Sequence, residues 1–123
     1  MIDFENKKVF KLSLGNIQKI PSDLIEMLTY GEEAFYYYTS IRDYVVFTDK
    51  RIIACNVQGV TGMKKDFTSI PYSKIQTFSI ETAGAFDIDS ELTIVLSGLG
   101  EVIFDFTAGS DIRDIAQLIA AHI

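Results

Sequence analysis

The chain has 123 residues, a formal net charge of −6 and 48% apolar residues. This length suits one domain with a single core, and no apolar run approaches the roughly 18 to 20 residues that a membrane-spanning helix needs. The N-terminus lacks the basic-then-apolar order of a signal peptide, so we expect a cytoplasmic protein. Cys55 is the single cysteine, which excludes an internal disulfide, and its place within a predicted strand favours a buried thiol.

The negative charge is concentrated in the C-terminal third. Residues 81–123 carry eight acidic residues against Arg113 alone, whereas residues 1–19 carry four lysines against two acids. An acidic domain repels polyanions, which makes nucleic acid an unsuitable partner and disfavours anionic membranes. A basic or neutral protein surface fits this charge better.

The first 31 residues are predicted to form an arm and a short helix that pack on a domain formed by residues 32–123. Residues 1–20 mix apolar side chains with lysines at no clean period, which leaves helix, strand and mobile arm open. Pro21, Ser22 and Asp23 then favour a helix of one or two turns that ends near Gly31.

Seven antiparallel strands are predicted next, because β-branched and aromatic residues recur between turn signals. Leu92, Ile94 and Leu96 alternate with outward-facing neighbours, and residues 102–106 repeat this pattern, as expected of half-buried strands. The predicted strands span residues 32–39, 42–48, 51–58, 64–70, 74–82, 91–97 and 101–107.

An amphipathic helix is predicted to close the chain. Ser110 is its predicted N-cap, Asp111 and Asp114 suit the positive end of the helix dipole, and apolar residues from Ile112 to Ile123 recur at helical spacing. The chain is therefore expected to be mainly β, with seven antiparallel strands followed by one C-terminal helix.

Three groups of residues resemble the bacterial pleckstrin-homology-like (PH-like) domain family. They are Thr48-Asp49-Lys50-Arg51 at the hairpin, Ile70-Pro71-Tyr72 at a strand junction, and Glu81-Thr82-Ala83-Gly84 followed by Phe86-Asp87-Ile88-Asp89. The resemblance covers nearly the whole chain and implies the PH-like fold, a sandwich or barrel of seven antiparallel strands with a C-terminal helix against one open end. It also implies a self-associating scaffold without enzymatic activity. Because the chain lacks the helical hairpin of longer relatives, a small ring such as a pentamer is expected.

Three consecutive tyrosines are predicted to form the interface between copies in that ring. Successive strand residues alternate faces, so one or two rings among Tyr36, Tyr37 and Tyr38 are expected outside the core. Partly exposed phenols in an ordinary strand are the alternative. Tyrosine is enriched at interfaces because it combines an apolar face with a hydroxyl, which favours the interface.

A polar surface for an unidentified protein partner is predicted at five residues without an obvious role in the core. They are Arg42, Asp43, Asp49, Lys50 and Arg51. The alternative function is a sensor of anionic lipid headgroups or another anionic ligand through Lys50, Lys64 and Lys65. Each such cation contributes only about 1 kcal/mol near an anionic surface, so the protein-interaction module is favoured.

No catalytic, cofactor or metal site is predicted. Asp87, Asp89 and Glu91 alternate, but they lack the glycine and glutamate of a calcium loop, which favours a solvated acidic turn. His122 lies near the end of the last helix, where the helix dipole favours it. Since no nucleophile and base have recognisable spacing, we expect no enzyme.

Overall fold

The computed structural model describes residues 1–86, 88–107 and 112–123. Helix α1 is a single turn, Ser22–Ile25, and helix α2 spans Ile112–His122, with short 3₁₀ turns at Ile17–Lys19 and Tyr72–Lys74. The strands in this part of the chain are β1 (Lys8–Leu14), β2 (Ala34–Thr39), β3 (Tyr44–Thr48), β4 (Arg51–Gln58), β5 (Lys64–Pro71), β6 (Ile75–Glu81), β7 (Ser90–Leu96) and β8 (Gly100–Phe106).

All eight strands belong to one curled sheet in the order β5-β4-β3-β2-β1-β8-β7-β6. Lys8–Leu12 of β1 pair in parallel with β8, and Ser13 and Leu14 pair antiparallel with β2, so β1 joins the two halves of the sheet. The mainly β architecture with a C-terminal helix is confirmed. The expectation of seven strands, all antiparallel, is wrong, because the described sheet has eight strands and β1 pairs in parallel with β8.

The sequence of β1 explains why its strand was not predicted. Phe10 and Leu12 are buried, but Lys8 occupies the position in phase with them and the out-of-phase Val9 is exposed. The alternation that identifies a half-buried strand is therefore broken at its start.

The other seven strands lie within two residues of their predicted bounds. The largest differences, two residues each, are at the starts of β2 and β3, and Arg42 and Asp43 belong to the loop that precedes β3. The Asp43 carboxylate accepts a hydrogen bond from the Val57 backbone N–H (2.9 Å), and its carbonyl accepts one from the Ser40 N–H (2.8 Å). These contacts close a turn in place of further strand pairing.

The main core lies between the two halves of the sheet. Leu92, Ile94 and Leu96 are buried in it, as the alternation predicted, and Ile2 and Phe4 of the N-terminal segment join them. Helix α2 covers this core with Ile112, Ile115 and Ile119. The predicted N-cap Ser110 and the neighbouring Asp111 lie outside the described residues.

A second, smaller core lies on the other face of β2, β3 and β4. It is formed by Ile20, Leu24, Tyr37, Tyr44, Val46, Ile53 and Cys55. The segment around α1 covers this face, so all five residues of β3 are buried. The prediction that Cys55 is buried is confirmed.

Candidate functional site

The five polar residues predicted to bind a partner lie at opposite ends of β3. Arg42 and Asp43 precede this strand, whereas Asp49, Lys50 and Arg51 follow it. Five residues of extended chain span about 17 Å. The structure therefore brings them together as two groups and not as one patch.

Arg51 has a structural role that the sequence did not indicate. Its Nε and Nη2 donate to Glu32 Oε2 (3.0 Å) and Oε1 (2.9 Å), and its Nη1 donates to Ser69 Oγ (2.9 Å). The Glu32 side chain has no exposed surface and also accepts a hydrogen bond from Thr48 Oγ1 (2.6 Å). Burial raises the pKa of Glu32, but hydrogen bonds from Arg51 and Thr48 outweigh it and lower that pKa to about 2.

Three other residues of the predicted surface also form hydrogen bonds within the chain. Asp49 Oδ1 accepts a hydrogen bond from the Glu33 backbone N–H (2.9 Å), Asp43 is held in the turn described above, and Arg42 donates to the Gly59 carbonyl. Lys50 is exposed, and its ammonium forms no ion pair with a described residue. Lys50 is therefore the member best placed to meet a partner.

The three lysines of the alternative anionic site do not meet. Lys64 pairs with Gln58 at one end of β4, whereas Lys50 adjoins Arg51, which pairs with Pro71 at the other end. Seven residues of strand separate these ends by about 23 Å. Lys65 Nζ lies 2.6 Å from Asp23 Oδ2, an ion pair that ties α1 to β5.

The tyrosines are divided between the two cores. Tyr38 packs in the main core against Phe47 and Phe106, with ring centroids 6.0 and 4.8 Å away, whereas Tyr37 packs against Tyr44 in the second core. Because β2 is covered on both faces, adjacent rings can both be buried. Tyr36 is only partly buried against the main core, so it is the ring of the three most accessible to another copy. Its role at an interface stays a prediction.

One feature that sequence reasoning missed is a pocket of about 350 Å³ beside the end of β5. Its walls are mainly apolar, and the exposed Lys74 adds a cation to them. The side chains come from distant chain segments, so no sequence signal could have assembled them. Prominent among them are Phe4, Ile70, Pro71, Lys74, Leu96 and Leu99.

A second missed feature is a set of apolar side chains at loop tips. Phe86 in the β6–β7 loop is fully exposed, and Ile88 keeps 64% of its surface accessible. At the far side of the sheet, Ile41 and Val60 are also fully exposed, on two loops that the Arg42–Gly59 hydrogen bond holds together. The sequence signal that could have identified these side chains is an apolar residue within a predicted turn.

The described residues contain no cluster of side chains that could bind a metal ion, and their cysteine is buried. They bring no three His, Cys, Asp or Glu side chains together in a way that could hold an ion, and Asp87 of the predicted acidic turn lies outside them. Cys55 is fully buried, and burial raises the pKa of its thiol, which disfavours the reactive thiolate. In the same part of the chain, no helix is both long and apolar enough to cross a bilayer.

A curled sheet capped by a C-terminal helix is the architecture of the PH-like class of domains. The family model described as bacterial PH domain matches residues 3–123. The chain belongs to this family, and the resemblance seen in the sequence is confirmed.

Known proteins similar to this chain include both curated relatives and solved structures. The chain is 45% identical over 104 residues to uncharacterized protein YjqA of Bacillus subtilis strain 168, covering 83% of each chain. It is 35% identical, with a TM-score of 0.78, to a DUF1696 family protein with a pleckstrin-homology domain from Shewanella loihica PV-4, covering 91% of this chain and 97% of that one. It is also 38% identical, with a TM-score of 0.64, to a pleckstrin homology domain from Shewanella amazonensis SB2B, covering 88% of each.

Proposed function

We propose that this protein is a non-catalytic PH-like scaffold that assembles into a closed ring of identical copies and presents a polar surface to another protein. A pentamer is the favoured ring. The observation that carries this proposal is the arrangement of the sheet, whose order begins at β5 and ends at β6. Within the described residues, β5 pairs with β4 and β6 pairs with β7, so each terminal strand has one unpaired side.

Unpaired strand edges favour association, because their N–H and C=O groups can pair with another chain. The two edges differ in sequence, so a contact that joins β5 of one copy to β6 of the next is head-to-tail. Such a contact closes into a ring when the rotation between neighbours divides a full turn. A ring of this kind would repeat the loops around Lys50 and Arg42 once in each copy.

Solution mass tests the ring directly. Size-exclusion chromatography with multi-angle light scattering, run over a wide dilution series, is expected to give one discrete multiple of the 13.8 kDa chain. A multiple that persists on dilution supports a closed assembly. A monomer at every concentration would remove the scaffold proposal.

The partner surface requires a separate test on the assembled protein. Lys50→Ala is expected to lower the amount of partner protein that is recovered by cross-linking from cells. Lys19→Ala, a matched change at another exposed lysine, should leave that amount unchanged. Arg51 is left intact because its replacement would disturb the fold through Glu32. Equal recovery by Lys50→Ala and the unaltered chain would remove Lys50 from the surface.

A sensor of anionic lipid is the second candidate, and one observation favours it. Ile41, Val60 and Met63 are each at least 85% exposed at two adjacent loop tips, with Arg42 and Lys64 beside them in sequence. Apolar tips flanked by cations suit the interface of an anionic membrane. Sedimentation with phosphatidylserine vesicles tests it: salt-sensitive binding that Val60→Glu and Lys64→Glu abolish supports the sensor, and no binding at low salt argues against it.

A further inference from the structure

We infer that Phe86 of one copy occupies the apolar pocket beside Lys74 of the next copy, so that the ring is held by a knob and a pocket at opposite ends of β6. This inference rests on the proposed ring and identifies the contact that closes it. The two parts of this contact are an exposed aromatic side chain and an apolar pocket, and neither has another role in the fold described above.

Phe86 has the properties of a knob. Its side chain is fully exposed in the β6–β7 loop, and Ile88 two residues later is largely exposed as well. Aromatic side chains dominate the energetics of protein interfaces because they remove a large apolar area from water. A phenylalanine held in water at a loop tip therefore gains most by entering an apolar site.

The pocket has the size and the lining to receive this side chain. Its volume is about 350 Å³, and Phe4, Ile70, Leu96 and Leu99 contribute apolar surface. An apolar cavity of about 150 Å³ is enough to hold benzene, so a phenylalanine ring fits with room for part of its neighbour. The lining side chains Ile70 and Phe4 belong to the main core, which makes the base of the pocket rigid.

The pocket cannot be filled by Phe86 of the same chain. Lys74 directly precedes β6, whereas Phe86 follows its last residue, Glu81, by five positions. The seven residues of β6 span about 23 Å, and the five residues that follow it up to Phe86 can reach back at most about 18 Å. A knob at one end and a pocket at the other form a heterologous contact, the kind that builds rings.

Charge also matches the knob to the pocket. Residues 81–91 carry four acidic residues and no basic residue. Lys74 is exposed at the pocket and forms no ion pair with a residue that the structure describes. The opposite charges of the loop and of the pocket rim orient the acidic loop towards the pocket and disfavour other orientations of the two copies.

Two variants separate the knob from the pocket. Phe86→Glu removes the knob at an exposed position, and Ser97→Trp fills the pocket from an exposed residue of its lining. Each variant is expected to raise the dissociation constant of the assembly at least about 30-fold, the loss typical of an interface hot spot. Val60→Glu, the same change at an equally exposed apolar residue of another loop, is the matched control and keeps the assembly. Lys74→Glu is a second pocket variant if Ser97→Trp fails to fold, with Lys64→Glu as its control.

Mixing the two variants gives the decisive measurement. Phe86→Glu keeps an intact pocket and Ser97→Trp keeps an intact knob, so an equimolar mixture can form one complete contact per pair. Sedimentation velocity at several hundred micromolar is expected to show each variant as a monomer and the mixture as a species of twice 13.8 kDa. Circular dichroism melts establish that each variant is folded.

The other outcomes contradict the inference in distinguishable ways. If the unaltered chain forms a ring and Phe86→Glu forms the same ring, the knob is wrong while the ring stands. If both variants are folded monomers that do not complement each other, the knob does not enter this pocket. If the unaltered chain is itself a monomer, the ring fails and this contact fails with it.

Discussion

Arg51 holds the carboxylate of Glu32 through two parallel hydrogen bonds, Nη2 to Oε1 at 2.9 Å and Nε to Oε2 at 3.0 Å. Glu32 has no exposed side-chain surface, while the Arg51 side chain keeps 24% of its own. Thr48 Oγ1 donates to the same carboxylate and accepts the backbone N–H groups of Lys50 and Arg51, each at 3.0 Å. The β3–β4 turn, with its family-like Thr-Asp-Lys-Arg sequence, is therefore fixed by a glutamate that precedes β2.

The first prediction concerns the loss of that arginine. Arg51→Ala leaves a buried carboxylate without its cation, and breaking such a pair typically costs about 3 to 5 kcal/mol. Denaturant unfolding is expected to show a loss of this size. Arg51→Lys should recover only part of it, because an ammonium cannot reproduce the two parallel bonds.

The adjacent lysine supplies the control for this measurement. Lys50 is exposed and forms no ion pair with a described residue, so Lys50→Ala is expected to change the unfolding free energy by less than about 0.5 kcal/mol. Equal stabilities for Arg51→Ala and Lys50→Ala would show that the Glu32 pair contributes nothing to the fold.

The second prediction is a loss of stability in acid. Burial raises the pKa of Glu32, but its hydrogen bonds prevail and lower that pKa from 4.5 to about 2 in the folded chain. Because the folded-state value lies below the unfolded one, this stabilisation is complete above pH 4.5 and is lost as the pH falls from 4.5 towards 2. The shift corresponds to about 3 kcal/mol.

Comparison with Glu32→Gln isolates this contribution. Hydrogen bonds and ion pairs also lower the pKa values of Asp23, from Lys65, and of Asp66, from the terminal ammonium, so the whole protein weakens in acid in the same direction. Unfolding free energies measured between pH 7 and pH 2.5 should fall less steeply for Glu32→Gln than for the unaltered chain. Parallel pH profiles would contradict the assignment to Glu32.

The strands that the sequence predicted well are those whose evidence is local. β3, β4 and β5 follow one another through short connections, and their β-branched and aromatic residues mark them without reference to the rest of the chain. β1 differs because its parallel partner, β8, begins 92 residues later, and because Lys8 and Val9 at its start break the alternation. β1 forms because it pairs with a strand that is distant in sequence, and a short window of sequence around β1 does not include that partner.

The candidate sites show the same limit more strongly. Arg51 was visible as a charged residue at a turn, but its partner Glu32 lies 19 positions upstream, and only the fold buries that carboxylate. Lys50 and Lys64 were grouped because both are basic residues in neighbouring hairpins, yet the register of β4 with β5 places them at opposite ends. Residue type indicated what each side chain could do, while the register decided which side chains meet.

The third prediction tests β1 as part of the folded core. Leu12 is fully buried between the two halves of the sheet, so Leu12→Ala is expected to cost about 2 to 5 kcal/mol of unfolding free energy. The adjacent Lys11 is exposed, and Lys11→Ala should cost less than about 0.5 kcal/mol. Thermal or denaturant unfolding separates the two, and a Leu12→Ala chain as stable as Lys11→Ala would show that β1 does not contribute to the core.

The fourth prediction tests how tightly the N-terminal segment is held against β8. Gly100 has φ +127°, and a Cβ built there would lie 2.8 Å from the backbone carbon of Phe4, whose carbonyl accepts the Glu101 N–H at 3.2 Å. Gly98 has φ +77° but open space around its Cβ position, so Gly98→Ala carries only the cost of positive φ, about 1 to 2 kcal/mol. Gly100→Ala must in addition displace the backbone at Phe4, which should add about 1 to 3 kcal/mol. Amide hydrogen exchange at Glu101 reports this displacement directly: faster exchange in Gly100→Ala than in Gly98→Ala is expected, and equal rates would mean that Phe4 is not anchored there.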